Sequence, residues 1–301
     1  MTTIGFAGRF KLEAVNAETG ERRVLAPWFN NLITDQGLNR IGTGPIGGYC
    51  HVGTGNAAPA VTDTALAAKL AHTTSVISGV SSGSATLPYY GSRTQVFRFG
   101  VGVASGNLSE VGIGYSATAL FSRALIKDSS GNPTTITVLP SEYLDVTYEL
   151  RMYAPAADVP FSVVISGVTY TGVVRAAQAT TFSDTADPWY GGYLFGSGAA
   201  LGTNTQPRAY NGALGTATTA PSGAGSVLGI PSNNGYANNS MQLTGTVTAA
   251  LAAGNLAGGI SALAIYTTLG AFQMSFSPAI PKDATKVLSV GITLSWARKV
   301  I

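Results

Sequence analysis

Three short patterns in this chain have residue types that could do chemistry. Gly42-Thr-Gly-Pro-Ile-Gly47 has the spacing of a dinucleotide-binding turn, and Asp63 follows where a ribose-binding acid would stand. That chemistry needs a strand before the glycines and a helix after them, so that backbone amides meet the pyrophosphate. Here a helix-like segment precedes and Gly48-Tyr-Cys-His-Val52 follows, which argues against a nucleotide site. Gly79-Val-Ser-Ser-Gly83 matches a nucleophile elbow, but that device needs a histidine after the serine. The two histidines, His51 and His72, both precede Ser81. Cys50 and His51 are adjacent, so in a strand they point to opposite faces and do not converge on one metal ion. His72 stands alone in the sequence.

The carboxylates read no better as a catalytic set. Asp184 and Asp187 lack the dense acidic loop of a calcium site. Asp145 and Glu149 fall with Thr147 on one side of an alternating segment, as expected of a half-solvated sheet. No acid pair is placed for general acid–base work. The sequence therefore predicts a non-enzyme without cofactor or metal. The aromatics are more suggestive. Trp189, Tyr190, Tyr193, Tyr210 and Tyr236 fall in a long irregular stretch, residues 183–240. Aromatics on loops of a rigid β scaffold can stack on a sugar or anchor a protein. They can equally pack against a neighbouring domain or subunit. These five are the candidate partner or receptor contacts.

The elements that would carry such loops are strands. Of 301 residues, 38 are glycine, 45% are hydrophobic and 10% are charged. The last figure is well below the roughly 25% of an average soluble protein. A surface so poor in charge suits a protein covered by neighbours. The net charge of +3 is spread thinly, with no Lys/Arg run longer than Arg22-Arg23 or Arg298-Lys299, which is no footprint for nucleic acid. One cysteine gives no disulfide framework. No apolar run suffices for a membrane helix, and the first residues lack a signal-peptide pattern. The expected place of synthesis is a cytoplasm.

Alternation and Gly/Asn/Pro punctuation place strands over 5–26 around Glu18-Thr-Gly20, over 94–126 and over 134–152. Asn31–Ile41 has the spacing of a short helix capped by Asn31 or Thr34, and alanine-rich Thr62–Ala71 is expected to be the other helix. Residues 73–92 read as a loop or weak hairpin. Landmarks then recur in order. Phe10-Lys-Leu-Glu-Ala-Val15 has an echo in Phe161-Ser-Val-Val-Ile-Ser166. Ala104-Ser-Gly-Asn-Leu108 returns as Ala252-Ala-Gly-Asn-Leu256, and Leu144–Leu150 as Leu288–Leu294. The offset stays near 150 residues, the signature of duplication. The predicted fold is all-β: two tandem, internally duplicated β-sandwich domains with one or two short helices, 1–153 and 154–301, joined by Tyr153-Ala-Pro-Ala-Ala-Asp-Val-Pro160.

The first half resembles a segment common in tail fibre, collar and baseplate-associated proteins of tailed bacteriophages. The resemblance is carried by Phe99–Gly114, Leu120-Phe-Ser-Arg-Ala-Leu-Ile126, Gly131–Val138 and Tyr143–Arg151, with Asn30–Leu38 and Val52–Pro59 upstream. The second half lacks the Glu-Val-Gly and Phe-Ser-Arg signatures. The resemblance implies a virion structural protein, often trimeric, made in the host cytoplasm and bound to other tail or baseplate proteins. On this basis the first domain is the expected anchor. The second, with its loop aromatics, is expected to face a neighbour, a host receptor or a glycan. A capsid-surface or connector protein and a glycan-binding module are the alternatives.

Overall fold

The computed structural model describes residues 2–84, 86–177, 192–202 and 206–301. Trp189, Tyr190, Asp184 and Asp187 lie outside them. The chain is all-β, with two short helices among the described residues. The first half runs β1 (Thr2–Asn16), β2 (Arg22–Asn30), β3 (Leu32–Ile33), α1 (Asp35–Thr43), β4 (Tyr49–Gly53), β5 (Lys69–Thr73), β6 (Val76–Ser84) and β7 (Tyr90–Phe99). It continues through β8 (Gly106–Leu108), β9 (Glu110–Gly114), β10 (Leu120–Leu125), β11 (Ile136–Val138) and β12 (Glu142–Tyr153). The second half runs β13 (Val159–Ile165), β14 (Val168–Ala177), α2 (Gly192–Gly196), β15 (Arg208–Tyr210) and β16 (Gly225–Val227). It ends with β17 (Ser232–Asn233), β18 (Gln242–Ala249), β19 (Ile260–Thr267), β20 (Gly270–Ile280) and β21 (Leu288–Arg298).

Period-two patterning makes these strands. In β12, Leu144, Val146, Tyr148, Leu150 and Met152 are all buried on one face, and Phe6, Phe10, Leu12 and Ala14 of β1 join them. From the other sheet come Cys50, Val52, Val111, Ile113 and Phe121. Thr34 caps α1 by accepting from the Gly37 amide at 2.9 Å.

The pairing orders of the two halves correspond for eight strands of each, while β2 and the β8–β11 pair have no counterpart among the described residues. In the first, β12–β7–β6 lie side by side in one sheet and β3–β10–β9–β4–β5 in another. In the second, β21–β18–β17 and β14–β20–β19–β15–β16 take the same orders. The linker does not hold the halves apart. An eight-stranded sheet, β17–β18–β21–β1–β12–β7–β6 with β2 on β1, passes through both, joined where β1 pairs in parallel with β21, Thr2 opposite Leu294 and Phe6 opposite Arg298. One core cluster draws on both halves. The first strands differ in their partners. β1 pairs along β12 from Gly5 to Asn16, whereas β13 pairs with β14 alone.

The alanine-rich Thr62–Ala71 is not helical; it is turn followed by β5. The reason is a distant side chain. The amides of Ala67 and Ala68 donate to the Glu110 carboxylate at 3.0 and 2.7 Å, and so are held outside any helix. Residues 73–92 form a true hairpin of β6 and β7.

Candidate functional site

A deeply buried acid–base pair sits where β9, β10 and the β4–β5 loop meet. Glu110 and Arg123 lie on the antiparallel β9–β10 pair, Glu110 opposite Leu125 and Arg123 opposite Gly112. Both are buried. Glu110 Oε1 accepts from Gly55 N at 3.1 Å and Ala68 N at 2.7 Å; Oε2 accepts from Ala67 N at 3.0 Å and Arg123 Nε at 3.0 Å. Arg123 Nη1 donates to Asp63 Oδ2 at 2.5 Å, and Nη2 to the Ala57 carbonyl at 2.8 Å. A Cβ on Gly55 would stand 2.5 Å from Glu110 Oε1, so this position must be glycine for the loop to close. Each carboxylate oxygen has two donors, and nothing is left for a substrate proton. Chemically the arrangement is a clamp on residues 54–68. The sequence motif could have pointed to it: Glu110 and Arg123 flank a short hairpin turn, which brings them together.

A second set covers the outer face of β2–β1–β12–β7. Glu13 and Asp145 stand directly opposite each other, a destabilising like-charge pair on its own. Arg22 bridges them, Nη2 donating to Glu13 at 3.3 Å and to Asp145 at 2.9 Å. Arg98 adds a bidentate pair on Asp145 at 2.7 and 2.8 Å. Glu149 accepts from Arg9 and, at 2.7 Å, from Arg151 Nε. The guanidinium groups lie over aromatic rings: Arg9 on Trp28 at 4.4 Å, Arg98 on Tyr143 at 4.9 Å and Arg151 on Tyr90 at 4.7 Å. The expectation of a half-solvated Asp145 and Glu149 is corrected. Both are buried, because arginines from neighbouring strands lie across them. At the end of β12, burial works to raise the Glu142 carboxyl, but the Leu139 amide and the Arg23 guanidinium outweigh it and hold it below its ordinary value.

The histidines meet across β4 and β5. His51 stands opposite His72 with ring centroids 5.9 Å apart, and Tyr49 lies 5.7 Å from His72. His72 is thus not isolated. Burial, then Lys69 and His72, lower the His51 pKa to about 4, against the lesser pull of the hydrogen bond to the Ser116 carbonyl. Burial pushes the Cys50 thiol up and leaves it inert. Among the described residues no group of three His, Cys, Asp or Glu is placed to hold a metal ion. The Gly42–Gly47 pattern begins within the last turn of α1, where carbonyls rather than amides point outward, the wrong pole for a phosphate.

Two of the candidate aromatics take the packing alternative. Tyr210, on β15, is buried in a small cluster with Tyr266 and Ala262. Tyr236 stacks on Trp296 with centroids 5.7 Å apart. Its hydroxyl donates to Asn39 Oδ1 at 2.9 Å, and its ring fills the space a Cβ on Gly42 would need. Trp296 Nε1 in turn donates to the Leu38 carbonyl at 2.8 Å. Tyr236 and the Asn239 amide, both donating to Asn39 Oδ1, therefore tie the second half to α1, while Ala237, Asn238 and Asn239 stay exposed. This was hidden from the sequence because the partners lie far apart along the chain. Tyr193 falls within α2. Among the described residues no helix is long and apolar enough to cross a membrane. No protein-family model, no curated protein and no solved structure matches the chain.

Proposed function

We infer that this chain is a structural protein of a tailed-bacteriophage virion, tail-associated as part of a fibre, collar or baseplate, and that it works as a homotrimer. The observation that carries the reading is where the family-like residues fall. Glu110, Arg123, Asp145 and Glu149 all belong to the resembling segments, and in the fold, with Arg98 beside them, they form the clamp and the arginine-covered sheet. They are framework residues, and a shared framework is what a family of assembly proteins has in common. Their lone pairs and donors are engaged, which favours a building block over an enzyme.

The surface supports subunit contacts. β6 is an edge strand of nine residues with no charge, and Val76, Ile77 and Val80 are exposed along it. A bare edge of this kind invites pairing unless a neighbour covers it. With so little charge to desolvate, copies of the chain can pack closely. In this reading the first half anchors the chain to other tail proteins. The second faces a neighbour or a host-surface receptor, and Trp189, Tyr190 and Tyr193 remain its candidate contacts.

Light scattering on the purified chain and imaging of labelled virions test the reading. A trimer found at the tail in a few copies per particle is expected. A stable monomer absent from virions overturns it. A copy number close to that of the major capsid subunit assigns the chain to the capsid surface or a connector instead.

A further inference from the structure

The most informative vacancy lies between the sheets of the second half. Over Leu288–Thr293, β21 is paired with β18 on one side, and on the other β1 begins its pairing only at Leu294. Beside this open edge lies a cavity of about 270 Å³, lined by Phe161, Val174, Phe272, Met274, Ile292 and their neighbours, none of them charged. A second hollow of about 380 Å³ shares Phe161, Met274 and Gly291 with it, so the two form one groove between β13 and β21.

The first half says what belongs there. The corresponding stretch of β12, Leu144–Glu149, is paired residue for residue by Ala14–Arg9 of β1. There β1 drives Phe10, Leu12 and Ala14 into the core. Its counterpart in chain order, β13, pairs with β14 in the other sheet, and among the described residues no strand takes the place beside β21. We propose that this groove is a strand acceptor. It takes an extended segment of another protein, about six residues long, that pairs antiparallel with Leu288–Thr293 and sends apolar side chains inward at alternate positions. Main-chain pairing supplies affinity, and the pockets around Phe161 and Met274 select the side chains. The uncharged lining requires an inward face without charge, because a charge buried there would have no partner. The inserted strand starts beside the first residues of β1 on the same edge and runs the opposite way, because β1 pairs with β21 in parallel. The proposal does not depend on the virion reading.

The probe is a blocked synthetic peptide of the Gly8–Val15 sequence with Arg9→Thr, Lys11→Thr and Glu13→Thr, which keeps the inward residues and neutralises the outward ones. Added to the full chain, it is expected to bind saturably, one per chain. It should slow amide exchange within Leu288–Thr293 by about tenfold or more. The same peptide with Phe10→Lys and Leu12→Lys is expected not to bind. In the protein, Met274→Lys should abolish binding with the fold retained by circular dichroism; if that variant does not fold, Phe161→Ser on the edge strand takes its place. Absence of saturable binding, equal binding of the lysine peptide, or protection elsewhere overturns the proposal. Protection already present in the isolated chain and lost on dilution assigns the groove to a second copy, and overturns the assignment to a foreign strand.

Discussion

The two halves use one strand order and hold their loops by different chemistry. In the first, the loop between β4 and β5 is tied down by charge: Glu110 collects three amides and Arg123 joins it to Asp63. In the second, the corresponding loop between β15 and β16 is tied down mainly by an uncharged side chain, with Arg175 Nη1 adding one bond to the Gly215 carbonyl at 2.7 Å. Gln273 of β20 is fully buried. Its Oε1 accepts from Gly215 N at 2.9 Å, and its Nε2 donates to the carbonyls of Thr216 and Thr219 at 2.8 and 2.9 Å. Arg123 stands across from Gly112, and Gln273 across from Ala264, so both long side chains lie beside a small residue. A single amide presents both a donor and an acceptor, which is the minimum for pinning a loop that offers both. The charged version makes more bonds but buries groups that cannot be left unpaired.

That contrast can be broken most directly at Arg123. Arg123→Met leaves Glu110 buried without its cation and is expected to cost about 3–5 kcal/mol in urea unfolding. Glu110→Gln combined with Arg123→Met should recover part of that loss, because the stranded charge is gone. In the second half, Gln273→Met is expected to cost about 1–2 kcal/mol, since neutral groups of a surface loop can turn to water. If the two single variants cost the same, charge is not what distinguishes the clamps.

The next largest effect concerns pH. His51 titrates near 4 in the fold, against about 6.5 for a free histidine. The unfolded chain therefore binds the extra proton first. Stability contributed by neutral His51 is complete above pH 6.5 and declines as pH falls toward 4, by at most about 3 kcal/mol. Denaturation curves across this window should show the slope, and His51→Gln should flatten it. A smaller effect is expected at the joint between the halves. Trp296→Phe removes the hydrogen bond to Leu38 and keeps most of the stack on Tyr236, for a loss of about 1 kcal/mol. Smallest is Arg23→Ala. Its pair with Glu142 is half exposed, and the change is expected to stay within about 1 kcal/mol by calorimetry.

How much of this was legible depended on distance along the chain. The all-β class, the turn at Glu18–Gly20 and the Thr34 cap follow from local pattern, and all are present. The helix expected at Thr62–Ala71 failed because a residue about 40 positions away, Glu110, takes the amides that a helix would use. For Tyr236 the choice between packing and outward contact stayed open in the sequence because its partners Asn39 and Trp296 come from opposite ends of it. Asp145 and Glu149 read as solvated because alternation tells which face a residue takes, and says nothing of the arginines that adjoining strands lay over that face.

The parallel pairing of β1 with β21 has a consequence in time. On the ribosome β1 is made long before β21. The edge of β1 at Thr2–Phe6 waits for a partner about 290 residues further along the chain. Contacts of such long range form slowly, and an edge left waiting is open to wrong partners. Completion of β21 is thus what closes that edge of β1.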